Sequence, residues 1–260
     1  MTTADSGRPS RPAGTILALG GGGFSVGGSP LLDDLLLDLA RPRAEQRGHG
    51  DRPRVAFVGT ASGDAEAYTS RFEAAFGDRA ETTVVSLFWR DGSDLAGTLL
   101  DQDAVFVGGG STLNLLALWR LHGLDAAMAA ALADGVVLAG VSAGMNCWFD
   151  SSVTDSHGPL SALDDGLGFL PGSACPHYDG EPDRRPAYLD MVGSRALPSG
   201  FAAEDGVGLL FRDGALVEAV SERPDGRAFR VHLAGGALDV DDAADLADVA
   251  ESPLDVRFLG

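Results

Sequence analysis

The sequence has no lysine; all 19 of its basic residues are arginine. Schiff-base enzymes and Walker-type phosphate loops each need a lysine, so both classes are excluded. Cysteine is nearly as scarce: Cys147 and Cys175 lack the number and spacing of a zinc site and read as buried core thiols. Long apolar runs are missing as well. The leucine-rich stretch Leu31 to Ala40 is interrupted by Asp33, Asp34 and Asp38, so nothing approaches the roughly 20 apolar residues that span a bilayer. Positive charge is outnumbered, 38 acidic residues against 19 basic, and the formal charge of -19 repels nucleic-acid phosphates and anionic lipid surfaces. With five histidines and no His-carboxylate cluster at ligand spacing, neither a metal nor another cofactor is expected.

The remaining sequence has the pattern of an α/β protein. Residues 1–14 are polar and rich in Ser, Thr and Pro, without the apolar centre of a secretory signal; they read as a disordered tail, and the expected compartment is the cytoplasm. Residues 15–260 read as one domain. Strands are expected at Thr15 to Leu19, Val55 to Val58, Thr82 to Leu87, Ala104 to Val107 and Val136 to Ala139. Helical patterns fall between them: one from Ser29 as N-cap and Pro30, one over Asp64 to Phe76, one from Ser111 to about His122, and one ending at Asp134-Gly135. Arg41 to Arg54 reads as a surface loop. This alternation predicts a three-layer fold, a mostly parallel sheet flanked by helices. After Gly206 the pattern shortens to Val207 to Phe211, Leu216 to Val220 and Phe229 to Leu233, which predicts an antiparallel β extension of the same sheet.

The strongest chemical signal is Gly140-Val141-Ser142-Ala143-Gly144, between the Val136 to Ala139 strand and an expected helix Ala143 to Phe149. Small residues two before and two after a serine permit the strained turn that presents a nucleophilic hydroxyl at a helix N-terminus. The competing role for Ser142 is a simple N-cap. His157 and His177 both fall in apparently irregular segments downstream, and spacing alone does not choose between them as the base. Asp155 is the natural orienting carboxylate, with Asp150, Asp164, Asp179 and Glu204 as competitors. The Ala143 amide is one expected oxyanion donor, and the Gly108-Gly109-Gly110-Ser111-Thr112 loop can supply another. Gly20 to Gly23 lacks dinucleotide-loop spacing and reads as a tight turn lining the cleft.

Taken together, the glycine triplet before Ser111-Thr112, the elbow followed by Asn146, the Thr154-Asp155 pair and Pro176-His177-Tyr178 resemble, in that order, the dipeptidase E family. That family includes α-aspartyl dipeptidases and is related to cyanophycinase. The resemblance covers roughly Thr15 to Leu233 and implies a class I glutamine amidotransferase-like (flavodoxin-like) fold with serine in place of the elbow cysteine. It implies Ser142 as nucleophile, His177 as base and then acid, and Asp155 as orienter, with the Ala143 amide and the Gly109-Gly110 loop stabilising the oxyanion. Ser111 stands where many members have Asn, and Val141 where an aromatic is common; both flank the expected substrate pocket and bear on aspartyl specificity.

The implied activity is serine peptidase cleavage of short peptides, Asp-Xaa dipeptides foremost, through an acyl-enzyme on Ser142. The expected partner is the peptide substrate alone, with homo-oligomer formation left open. A dianionic substrate approaching so acidic a protein needs a local cation, and the adjacent pair Arg184-Arg185 is the candidate carboxylate clamp. The alternatives are a serine hydrolase of another class, an esterase or cyanophycinase-like enzyme, and a binding module that keeps the fold without catalysis.

Overall fold

Runs of β-branched and aromatic residues bounded by glycine form the strands of this chain, and leucine and alanine at helical spacing form its helices. The computed structural model describes residues 11–90, 92–234 and 248–260. Strand β1 (Thr15–Leu19) leads through a 3-10 turn at Gly23–Val26 into α1 (Leu31–Arg47) and β2 (Arg54–Val58). A second 3-10 turn at Thr60–Ser62 precedes α2 (Glu66–Phe76), β3 (Glu81–Val85), α3 (Leu95–Leu100) and β4 (Ala104–Val107). Helices α4 (Thr112–His122) and α5 (Leu124–Ala133) then return the chain to β5 (Val137–Val141), followed by the single turn α6 (Ala143–Asn146). Beyond it run β6 (Phe149–Thr154), β7 (Ser161–Leu163), β8 (Leu170–Cys175), α7 (Arg184–Gly193) and β9 (Gly200–Ala203). The chain closes with β10 (Val207–Arg212), β11 (Ala215–Ser221), β12 (Ala228–Leu233), β13 (Val249–Pro253) and β14 (Val256–Phe258).

The main sheet has eight strands in the order β14-β11-β10-β1-β5-β4-β2-β3. Strands β1, β5, β4, β2 and β3 pair in parallel, while β10 lies antiparallel to both β1 and β11. Side chains of successive strand residues point to opposite faces. In β4, Ala104 and Phe106 join a core with α1 and α2, whereas Val105 and Val107 join a core with α4, α5 and the second sheet. Both faces are dry, so the central strands are apolar throughout, and each fully buried Leu, Val or Phe contributes about 1.5–3 kcal/mol.

The second sheet, β13-β12-β9-β8-β6-β7, was not anticipated. Its strands β6 and β8 carry Ser151, Ser152 and Ser173 in buried positions, and so lack the alternation that marks a strand in sequence. His157 and His177 do lie in irregular segments, but these connect strands of an ordered sheet. The expected extension is divided: β10 and β11 prolong the main sheet, but Phe229 to Leu233 is β12 of the second. Its Phe229 and Val231 pack with Tyr178, Tyr188 and Val192 beneath α7.

Several boundaries moved. The supposed loop from Arg41 is helical as far as Arg47, with Pro42 inside α1. Proline costs a helix the bond to the carbonyl four residues earlier, here that of Asp38, whose side chain is 68% exposed, so water is at hand near that turn. Continuing the helix buries Ala44 completely and positions Arg43 to donate to the carbonyls of Gln102 and Leu100, and Gly48 at φ 75° ends it. Pro30, not Ser29, occupies the N-cap of α1, and Asp64 lies outside α2 with φ 54°. The helix after Ser142 stops at Asn146 because Phe149 is already needed in β6. The supposed tail is outside the described residues as far as position 10; Arg11 is held by Asp150 at 2.9 and 3.0 Å. Among the described residues no single helix is long and apolar enough to cross a membrane.

Candidate active site

The strained strand-to-helix turn expected at Ser142 is present. Ser142 follows β5 with φ 58° and ψ -110°, a conformation that L-residues rarely adopt, and α6 begins at the next residue. The two motif glycines are required sterically, since a Cβ at Gly140 would strike the Gly144 carbonyl and one at Gly144 would strike that of Val107. Ser142 is only partly buried in an otherwise buried element, which leaves its hydroxyl at the C-terminal edge of the parallel sheet.

The glycine run after β1 organises this edge more than its sequence suggested. Four successive carbonyls each receive a donor from a different part of the site. Leu19 C=O accepts the Ser142 N–H at 3.1 Å, and Gly20 C=O accepts the His177 N–H at 3.1 Å. Gly21 C=O accepts the Gly206 N–H at 3.2 Å, and Gly22 C=O accepts the Ser25 hydroxyl at 2.5 Å. Ser142 and His177 are thus suspended from neighbouring peptide units whose Cα atoms lie about 3.8 Å apart.

His177 follows β8 with φ 53°, and its Nδ1 lies 2.6 Å from Asp205 Oδ1. The carboxylate makes Nδ1 the protonated nitrogen and leaves Nε2 as an acceptor. Asp205 is held in turn: its N–H donates to Asp179 Oδ1 at 2.8 Å, and its carbonyl accepts from Arg223 Nη1 at 3.1 Å. Partial burial pushes the Asp179 carboxyl up, but the Asp205 amide and Arg223 outweigh it and hold the group below the usual carboxylate range.

The carboxylate bonded to His177 is therefore Asp205, while Asp155 lies elsewhere. Asp155 lies at the end of β6 with a side chain 59% exposed, and its carboxylate lies 3.8 Å from Arg184 Nη2. Asp205 was missed because it reaches the site only through the turn between β9 and β10, 28 residues beyond His177 and in the other sheet's connection. The available signal was an acid beside a glycine at the end of an apolar run. Glu204, weighed as a competitor, is buried and bonded to Arg227 at 2.8 Å. His157 sits exposed in the β6–β7 connection.

The oxyanion loop follows β4. Gly109 lies against the nucleophile, since a Cβ on it would be 3.2 Å from Ser142 Cβ and 3.6 Å from Oγ. Its N–H, however, donates to Tyr68 Oη at 3.2 Å, so in this arrangement it does not serve as an oxyanion donor. Gly110, at φ 137°, and Ala143, first residue of α6, remain as the candidate amides. Ser111 caps α4 by accepting from Asn114 N–H at 3.3 Å, a structural task for a residue expected to touch substrate.

Arg184 and Arg185 do not form a free pair. Arg184 is buried, with Nε donating to Glu181 at 2.8 Å, while Arg185 donates to Glu251 at 2.7 Å and lies over the rings of Tyr178 and Phe229. Both cysteines are buried, and burial pushes their thiols well above the ordinary range, in keeping with structural roles.

A partly exposed serine at a strained turn, with a His-Asp pair hung from the next peptide unit, is in keeping with a hydrolase, and comparison with known proteins narrows it. Residues 16–218 match the model of peptidase family S51. An uncharacterized peptidase, YgaJ, of Bacillus subtilis is 45% identical over 246 residues, covering 94% of this chain and 99% of its own. A peptidase E of Streptomyces coelicolor is 32% identical, covering 75% of this chain and 83% of its own. Among solved structures, a peptidase from an acI-B1 Actinobacterium superposes with a TM-score of 0.64 over 95% of this chain and 96% of its own, at 16% identity. A putative peptidase E from Listeria monocytogenes gives 0.55 over 79% of this chain and 97% of its own, also at 16% identity, and these two likenesses establish the fold. The chain belongs to peptidase family S51.

Proposed function

We propose that this peptidase hydrolyses short peptides through an acyl-enzyme on Ser142, with His177 as general base and acid and Asp205 as the carboxylate that orients it. The observation that carries the reading is the suspension of Ser142 and His177 from the adjacent carbonyls of Leu19 and Gly20, with Asp205 Oδ1 at 2.6 Å from His177 Nδ1. His177 Nε2 accepts the Ser142 hydroxyl proton as Oγ attacks the peptide carbonyl, and the resulting oxyanion is met by the amides of Ala143 and Gly110. Collapse passes that proton to the leaving amine. Water, deprotonated by the same nitrogen, then releases the acyl group and restores the serine.

Asp-Xaa dipeptides are the proposed preferred class, and Arg184 is the residue on which that preference rests. Its guanidinium is fixed by Glu181 on one side, while its ion pair with Asp155 is long, 3.8 Å, and ends on an exposed carboxylate. A substrate carboxylate can take the place of Asp155 there without leaving Arg184 unpaired. Arg185, committed to Glu251 and to two aromatic rings, is assigned no such role.

The test is a panel of dipeptides with N-terminal Asp, Asn, Ala and Arg, followed by chromatography of the products. Ser142→Ala should retain the fold and lose activity by at least roughly 10⁴-fold; full activity in that variant would overturn the serine mechanism. Arg184→Ala should raise KM for the Asp substrate by roughly tenfold and leave that for Ala nearly unchanged. An equal effect on both removes the aspartyl preference from the proposal but not the chemistry.

A further inference from the structure

Tyr68 is a buried residue of α2, an element that supplies neither the nucleophile nor its base. Its ring packs flush against the oxyanion loop, because a Cβ on Gly108 would lie 2.9 Å from its Cε1. On the other side the ring is enclosed by Phe57 and Phe24, at centroid separations of 5.1 and 5.8 Å, with the Arg71 guanidinium 4.9 Å from its centroid. The hydroxyl accepts the Gly109 N–H at 3.2 Å. One side chain therefore touches, through Gly108 and Gly109, the loop that lies beside Ser142.

We propose that Tyr68 is a positioning residue for oxyanion stabilisation: by drawing the Gly109 N–H out of the site, it fixes the rotation of the Gly109–Gly110 segment and aims the Gly110 amide at the oxygen of the attacked carbonyl. A glycine triplet has no side chains to hold its peptide planes, and Gly110 at φ 137° sits where the backbone has wide freedom. A donor that must meet developing charge works only if it is aligned beforehand, since realignment during the reaction costs what the contact gains. A buried phenol, packed against Phe57, Phe24 and Gly108, is a rigid means of fixing that alignment. The proposal rests on the Ser142 reading and adds to it a residue that never touches substrate.

Tyr68→Phe removes the hydroxyl and keeps the ring, so packing is preserved. It should lower kcat on the order of tenfold with KM changed less than about twofold, because the lost alignment acts on the transition state and not on bound substrate. The decisive readout is the labelling of Ser142 by a fluorophosphonate. In that step Ser142 Oγ bonds to phosphorus, the P–F bond breaks, fluoride leaves, and the hydroxyl proton passes to His177, with the phosphoryl oxygen in the oxyanion hole. Tyr68→Phe should label on the order of ten times more slowly than the parent at unchanged melting temperature. Parent protein that labels at Ser142, with Tyr68→Phe labelling equally fast, overturns the positioning role and leaves the serine mechanism standing. Parent protein that does not label at Ser142 overturns the serine mechanism, and the positioning role with it.

Discussion

Two aspartates compete for the orienting role, and their environments separate them. Asp205 Oδ1 is 2.6 Å from His177 Nδ1, whereas Asp155 is an exposed partner of Arg184. An amide at position 205 would favour the wrong imidazole tautomer while keeping the shape of the site. Asp205→Asn should therefore lower kcat by roughly 10³- to 10⁴-fold, and Asp155→Asn by less than about tenfold. Steady-state kinetics on one good dipeptide decide the matter, and the reverse order would return the role to Asp155. The strained turn at Ser142 could be read from five consecutive residues because such a turn is a local device. The acid bonded to His177 could not, because among 38 acidic residues only the turn that delivers Asp205 distinguishes it. Gly21 carries the same lesson: a Cβ there would collide with Asp205 Oδ1, a requirement invisible until the two segments are in contact.

At the scale of elements, the start of α1 and the 3-10 turn before it form a unit around one buried carboxyl, Asp33, and one half-buried, Glu222. Asp33, in the first turn of α1, accepts the Phe24 N–H at 3.0 Å, and Glu222 accepts the Gly23 N–H at 3.2 Å through both oxygens. Burial pushes the Asp33 carboxyl up to about 7 despite the Phe24 amide, and burial raises Glu222 against the Gly23 amide. For Asp33 the folded value lies above the unfolded one, so the native state holds the proton more tightly and stability falls as pH rises from about 4 to about 7. Asp33→Asn keeps an acceptor for Phe24 and removes the titration. In urea unfolding, its stability relative to the parent should therefore rise by about 2–4 kcal/mol between pH 4.5 and pH 8. Parallel pH profiles for the two proteins would count against a buried, protonating Asp33. Helices and strands with strong periodicity, α1 and β4 among them, were legible in sequence. The strands β6 and β8 were not, because their burial comes from a partner sheet and not from their own alternation.

For the whole molecule, the charge of -19 dominates. Many of the arginines are already matched: Arg120 with Asp165, Arg257 with Glu218 and Arg54 with Asp101 are examples, so the excess negative charge repels itself across the surface. Raising sodium chloride from about 20 to about 200 mM should screen this repulsion and raise Tm by roughly 2–4 °C, as read by calorimetry. A falling Tm would mean that the surface ion pairs outweigh the net repulsion. The sequence alone determined the parallel α/β layering, the elbow serine, the histidine after Pro176 and the exclusion of lysine-dependent chemistry, since each follows from residue type and short-range spacing. Tertiary structure decided that Asp205 meets His177, that Tyr68 takes the Gly109 amide and that the carbonyls of Leu19 and Gly20 hold the amides of Ser142 and His177. Those three depend on segments far apart in the chain meeting at one sheet edge, and their approach is fixed by the packing of two sheets, which short-range spacing does not encode.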